Sequence, residues 1–215
     1  MTYIRKSKLE DILHVSKNMR DADREEVKAA SNQTPLDALT NGFELSKPSC
    51  FSVVRQESDG TKVMQMDGRS VMDIRSDSFF GEKVEEDDTD IPIAMFGVAP
   101  VQDRKEWGSI WMLGTDDITD LVPISFLRCC KRFLPTFLSP YEMVFNLVDH
   151  RNTVHIKWLK WMGFSIIREV SYSPSNNKFY EFARLNHVYS SCRRDGCDFH
   201  SGSRNICDGR FGRCQ

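Results

Sequence analysis

The stretch IWMLGTDDITDL, residues 110–121, joins an apolar run to an amphipathic one, so it reads as a buried strand handing over to a helix. Such a joint is a common place to hold a phosphate, because a helix start exposes unpaired N–H groups and the positive end of a dipole. Asp116, Asp117 and Asp120 nevertheless crowd this joint with negative charge. Two readings stay open. Thr119 or Asp120 caps the following helix while the other acids complement its dipole, or the loop is an altered ligand loop that accepts a nucleotide or acyl carrier.

Other residues with chemical potential lie further on. Cys192, Cys197, His200, Cys207 and Cys214 supply thiolates and an imidazole, the usual ligands of tetrahedral zinc. Four, two, six and six residues intervene between them, which lacks the short knuckle that opens a compact zinc site. A mobile Arg/Gly/Ser-rich tail, disulfide pairing and partner docking remain alternatives. His150 and His155 flank Asn152 and could carry protons, yet no partner nucleophile accompanies them. Trp158 and Trp161, three apart, read as core and groove packing rather than a platform for stacked bases.

These residues need elements to position them. Thr2 to Arg5 reads as a strand, followed by a helix over about Lys8 to Met19 with Ser7 and Glu10 at capping-box spacing. The segment NMRDADREEVKAAS is so charged that it reads as a solvated face. Thr34, Pro35 and Gly42 bracket a further short helix as cap, first turn and end. CFSVVR (50–55) reads as a strand whose return partner is Lys62 to Met66, and GEKVEEDDTD as a solvated acidic insertion. IPIAMFGVAP (91–100) is apolar enough for a central strand, and SIWMLGT (109–115) extends an antiparallel meander. From Asp120 to about Leu138 apolar residues recur at helical steps, with Pro135 expected to kink or end the helix. YEMVFNLVD (141–149) is a buried strand and Asn152 caps a helix ending at Gly163. Phe164 to Tyr172 and Lys178 to Ala183 form a hairpin around PSNN.

Composition sets the outer limits. The 215 residues, 40% hydrophobic and 11% aromatic, suffice for one globular domain, placed at 1–186 with a tail at 187–215. Lys+Arg 29 against Asp+Glu 31 leaves a net charge of -2, no overall reason to bind nucleic acid or an anionic membrane. The tail from Cys192 onward holds five arginines against three aspartates, which permits weak contact with DNA without arguing for it. No run approaches the roughly 18 apolar residues of a membrane span, and the start lacks the apolar core of a signal peptide. The expectation is therefore a protein of a reducing cell interior, with Cys50, Cys129 and Cys130 as small core residues.

The element order, and above all NLVDHRNTVHIKWLKWMGFSI (146–166), resembles the GNAT acetyltransferases. The resemblance implies an α/β fold, with a central mixed, mostly antiparallel sheet flanked by helices. It also implies two splayed strands holding acetyl-CoA, with the pyrophosphate on a Q/R-x-x-G-x-G/A loop. Gly114, Thr115 and Asn152 would be its contacts if acyl-CoA is bound. At the loop this chain offers a single glycine, Gly114, and aspartates. Where many active members carry a general-acid tyrosine it has Leu159, so no catalytic residue is assigned.

Within that superfamily, NMRDADREE, MFGVAP, IWMLGTDDI and HRNTVHIKWLKWMGF together resemble the small internal virion protein of T-odd, short-tailed bacteriophages. That likeness implies a role in virion assembly or the internal core and partners among other virion or core proteins. It also implies a place in the virion interior after assembly in the host cytoplasm, without a cofactor. The alternative is an active acyl-CoA-dependent N-acetyltransferase acting on a host or phage amine.

Overall fold

The computed structural model describes residues 2–56, 90–120, 124–172 and 176–186. In chain order they form β1 (Thr2–Lys6), α1 (Leu9–Lys17), α2 (Asp21–Ser31), α3 (Pro35–Ser46), β2 (Cys50–Gln56), β3 (Asp90–Val101) and β4 (Arg104–Gly114). Then follow α4 (Asp117–Asp120), α5 (Ile124–Phe137), β5 (Met143–Asp149), α6 (Thr153–Trp161), β6 (Ser165–Tyr172) and β7 (Asn177–Leu185). The seven strands make one mixed sheet in the order β1-β2-β3-β4-β5-β7-β6. Every neighbouring pair is antiparallel except β4 and β5. This is the α/β architecture expected from the sequence.

Side-chain alternation along β3 divides the core between the two faces of the sheet. Met95 points to α1 and α3, where it meets Ile12, Val15, Leu39 and Phe43. Phe96 and Val98 point the other way, into a larger cluster with Phe133, Phe137, Leu159 and Met162 of α5 and the α6 end. Trp158, Leu159 and Met162 thus pack over the central strands, with Leu159 only 3% exposed.

Several local expectations shift. Lys8, not Ser7, is the residue before α1, and the Asp11 carboxylate accepts its N–H at 2.9 Å. Asp11 wins because Arg5 holds the same carboxylate with bonds of 2.7 and 2.8 Å, fixing it at the helix start. Thr34 caps α3 and Pro35 opens it, but Gly42 lies inside the helix. A Cβ there would stand 2.9 Å from the Trp111 ring, so glycine serves close packing instead of helix termination. Gly163, at φ +88, does end the α6 segment. Residues 62–66 and the acidic insertion up to Thr89 lie outside the described residues, and both edges of β2 are taken by β1 and β3. Of the helix expected from Asp120 to about Leu138, α5 covers Ile124–Phe137, while the single turn α4 ends at Asp120, and Pro135 falls in the last turn of α5 without ending it. Trp161 is 40% exposed with Lys131 over its ring at 5.0 Å, so of the two tryptophans only Trp158 joins the core. No helix among the described residues is long and apolar enough to cross a membrane.

Candidate functional site

The parallel pair β4 and β5 is hydrogen-bonded only at its start, through Trp107, Gly108 and Ser109 opposite Met143, Val144 and Phe145. Beyond that point β4 follows β3 to Gly114 and β5 follows β7 to Asp149, so the two strands part. Asn146 closes the crotch of this fork. Its Nδ2 donates to the Ile110 carbonyl at 2.7 Å and its Oδ1 accepts the Leu147 N–H at 2.8 Å. One side chain thereby satisfies two backbone groups that the missing ladder would orphan.

A cavity of about 520 Å³ occupies the opened fork. Its walls come from both faces of the sheet, with Trp111, Leu113 and Gly42 on one side and Phe133, Leu134 and Trp158 on the other. Leu159 and Cys130 line it as well. Most of this surface is apolar, and exposed Val154 and Tyr172 also line it.

The polar part of the wall comes from the charged segment read as a solvated face. Asp21, Glu25 and Lys28 are exposed as that reading expects, but it fails for Arg20 and Asp23, which are 7% and 2% exposed and bond to each other at 2.7 Å. Arg24, half-buried, ties α2 to the chain before it, its guanidinium donating to the carbonyls of Lys17, the last residue of α1, and of Met19 beyond it. Burial of these charges is tolerable because each meets a partner. Arg20, Asp23 and Val27 recur at three- and four-residue steps, and that spacing was the legible sign of a buried stripe.

Glu26, one further turn along α2, accepts from Asn152 Nδ2 at 2.9 Å and from the Asp149 N–H. The residue is only partly buried as a whole, yet its carboxylate sits among protein atoms. That burial pushes its pKa up to about 7, with Asp23 adding repulsion against the two hydrogen bonds. His155, on the adjoining first turn of α6, is 9% exposed. Burial holds its pKa down at about 4, so the imidazole is neutral near pH 7. His150 is instead exposed, its ring beside the Lys178 carbonyl at 3.0 Å.

The segment from Gly114 to Asp120 is held by its own chain. The Gly114 N–H donates to Asp23 Oδ2 at 2.9 Å and the Gly114 carbonyl accepts the Arg20 N–H at 3.0 Å. Thr115 turns inward, both its N–H and its hydroxyl donating to the Ile93 carbonyl. Asn152 caps α6 through His155 N–H at 3.3 Å and spends its amide on Glu26. Thr119 of α4 donates back to the carbonyl of Asp116, the residue before that turn, and no cap bond from Thr119 or Asp120 to α5 is found among the described residues. Asp117 pairs with Arg55 at 3.2 Å.

Along this loop one backbone donor is engaged and the side chains are acidic. The Gly114 N–H already has an anionic partner, and the surrounding carboxylates would repel a phosphate by about 1 kcal/mol at 4 Å even in water. Pro123, directly before α5, has no N–H to offer. Residues 121–123, Cys129 and the tail ligand set Cys192, Cys197, His200, Cys207 and Cys214 lie outside the described side chains. No group of three or more metal-binding side chains occurs among the described residues.

By sequence the chain matches no protein-family model and no curated protein. Solved structures are another matter. A GNAT-family acetyltransferase from Bacillus anthracis is similar with a TM-score of 0.53 at 10% identity, over 86% of this chain and 95% of that one. AAC(6')-Ib in complex with ribostamycin and coenzyme A is similar at 0.52 and 9% identity, over 91% and 99%. The spermidine N-acetyltransferase from Vibrio cholerae, in complex with coenzyme A and spermine, reaches 0.50 at 10% identity, over 88% and 98%. The fold is that of the GNAT acetyltransferases. At such identities the likeness carries the architecture and not the reaction.

Proposed function

We propose that the chain is a bacteriophage internal virion or assembly protein built on a divergent GNAT-like fold, and that it does not bind acetyl-CoA in the usual way. One observation carries this reading. Where a coenzyme pyrophosphate would need free backbone donors, the Gly114 N–H is taken by the buried Asp23, itself locked by Arg20. Leu159, buried in the core, offers no proton to a departing thiolate. The virion role is supported by the four motifs NMRDADREE, MFGVAP, IWMLGTDDI and HRNTVHIKWLKWMGF in order, and other virion or core proteins are the partners it implies.

A second reading has its own support. The cavity reaches through the fork, and a carboxyl with a pKa near 7 on its wall suits a general base. An acyl-CoA-dependent N-acetyltransferase acting on a host or phage amine would use that arrangement. Calorimetry with acetyl-CoA separates the two. The assembly reading expects no saturable binding at millimolar concentration, by the natural chain or by a variant with Asp116→Asn and Asp117→Asn. Micromolar affinity of the natural chain would reverse the order of the two readings.

A further inference from the structure

The fork cavity has polar side chains on its wall, but the chain already engages them. Among the described residues, Arg20 and Glu26 are its charged members. Arg20 bonds Asp23 at 2.7 Å, and Glu26 accepts from Asn152 and from the Asp149 N–H. Asn146 spans Ile110 and Leu147, Thr119 donates to the Asp116 carbonyl, and Trp111 Nε1 donates to Ser46 at 2.7 Å. Arg20 Nε and His155 Nδ1 lack a partner among the described residues, yet protein atoms enclose both, so neither faces the cavity. What the wall offers a ligand is hydrocarbon and aromatic surface, from Leu113 on one side to Phe133, Leu134 and Trp158 on the other.

A void of about 520 Å³ lined in this way leaves dispersion contacts unmade, and an apolar molecule would supply them. Exposed Val154 and Tyr172 carry the lining out to the surface, which gives such a molecule a route in. Charge of either sign is disfavoured for one reason. At pH 6 Glu26 holds its proton and His155 is neutral, so the ions left at this wall are Arg20 and its partner Asp23. A carboxylate or an ammonium would leave water without an unpaired counter-ion to meet it. We infer that the fork cavity binds an uncharged, hydrocarbon-rich molecule, held by apolar contact instead of hydrogen bonds. This goes beyond both functional readings, since it needs neither a coenzyme nor a reaction.

Naphthalene is the probe, with 2-naphthoate and 1-naphthylmethylamine as charged controls of the same ring size, titrated calorimetrically into the full chain at pH 6. One naphthalene should bind per chain, with an enthalpy that grows more negative on warming, the heat-capacity mark of buried apolar surface. Either control should bind at least about tenfold more weakly. Ala30→Phe on α2 and Cys130→Phe on α5 put rings in place of two small lining residues. Each should weaken naphthalene about tenfold or more by filling its space. Should either variant fail to fold, the titration of the parent chain against the two controls decides. Absence of naphthalene binding, equal binding of either control, or unchanged affinity in a folded phenylalanine variant would each overturn the inference.

Discussion

Glu26 and His155 are the residues whose protonation the fold disturbs most usefully, because they do so in opposite senses within one wall. Burial raises Glu26 from 4.5 to about 7, so between those values the folded chain holds a proton that the unfolded chain has released. That makes stability fall as pH rises through the window. Burial lowers His155 from 6.5 to about 4, so there the unfolded chain holds the extra proton and stability falls as pH drops. Across the shared range the two slopes oppose. Chemical denaturation between pH 5 and 6.5 should therefore show Glu26→Gln gaining stability over the parent as pH rises, and His155→Leu losing it, each by up to about 1.4 kcal/mol per unit. Parallel pH profiles for parent and both variants would show that neither carboxyl nor imidazole is buried as described. Asp11 and Asp149, held low against burial by Arg5 and Arg151, contribute stability that is lost only at more acidic pH, below this window.

At the level of elements, α6 shows most directly how packing and capping divide the labour. Asn152 starts the helix, Gly163 lets the chain leave it in a left-handed turn, and Leu159 seats it on the sheet. Leu159→Ala should cost about 2–5 kcal/mol in urea unfolding, since a 3% exposed side chain leaves a void when truncated. Trp161→Ala, two residues on, removes a ring that is 40% exposed and should cost less than about 1 kcal/mol. Equal losses would mean that α6 does not present the face described. The α1 to α2 segment behaves differently, because its attachment to β4 is polar. Its backbone joins the sheet through Met19 opposite Thr115 and Arg20 N–H on Gly114, and Asp23 completes the clasp.

For the whole molecule, both core faces and the fork, among the described residues, are built from the sheet and the helices packed on it. Deleting Cys192 to Gln215 should leave the melting temperature unchanged, because only Phe199, Ile206 and Phe211 there are large and apolar. A chelator should likewise leave the full chain unmoved. Should it lower the melting temperature of the full chain and not of the deletion, Cys192, Cys197, His200, Cys207 and Cys214 would have to be admitted as a structural metal site.

Periodicity made the strands around Ile91–Val98 and Met143–Leu147 legible, and local chemistry marked the Thr34 and Asn152 caps and the stop at Gly163. These signals depend on neighbours within a few residues, which a sequence displays directly. The single glycine at Gly114 and the aspartates after it were equally plain. Only the tertiary structure could say where the charges of residues 20–26 go. Asp23 finds its acceptor role on Gly114, 91 positions away, and Glu26 meets Asn152 across 126. A charged helix looks solvated until a partner of opposite polarity arrives from elsewhere in the chain. Here the partner is the sheet's own fork, whose divergence leaves backbone donors and a cavity for those side chains to meet.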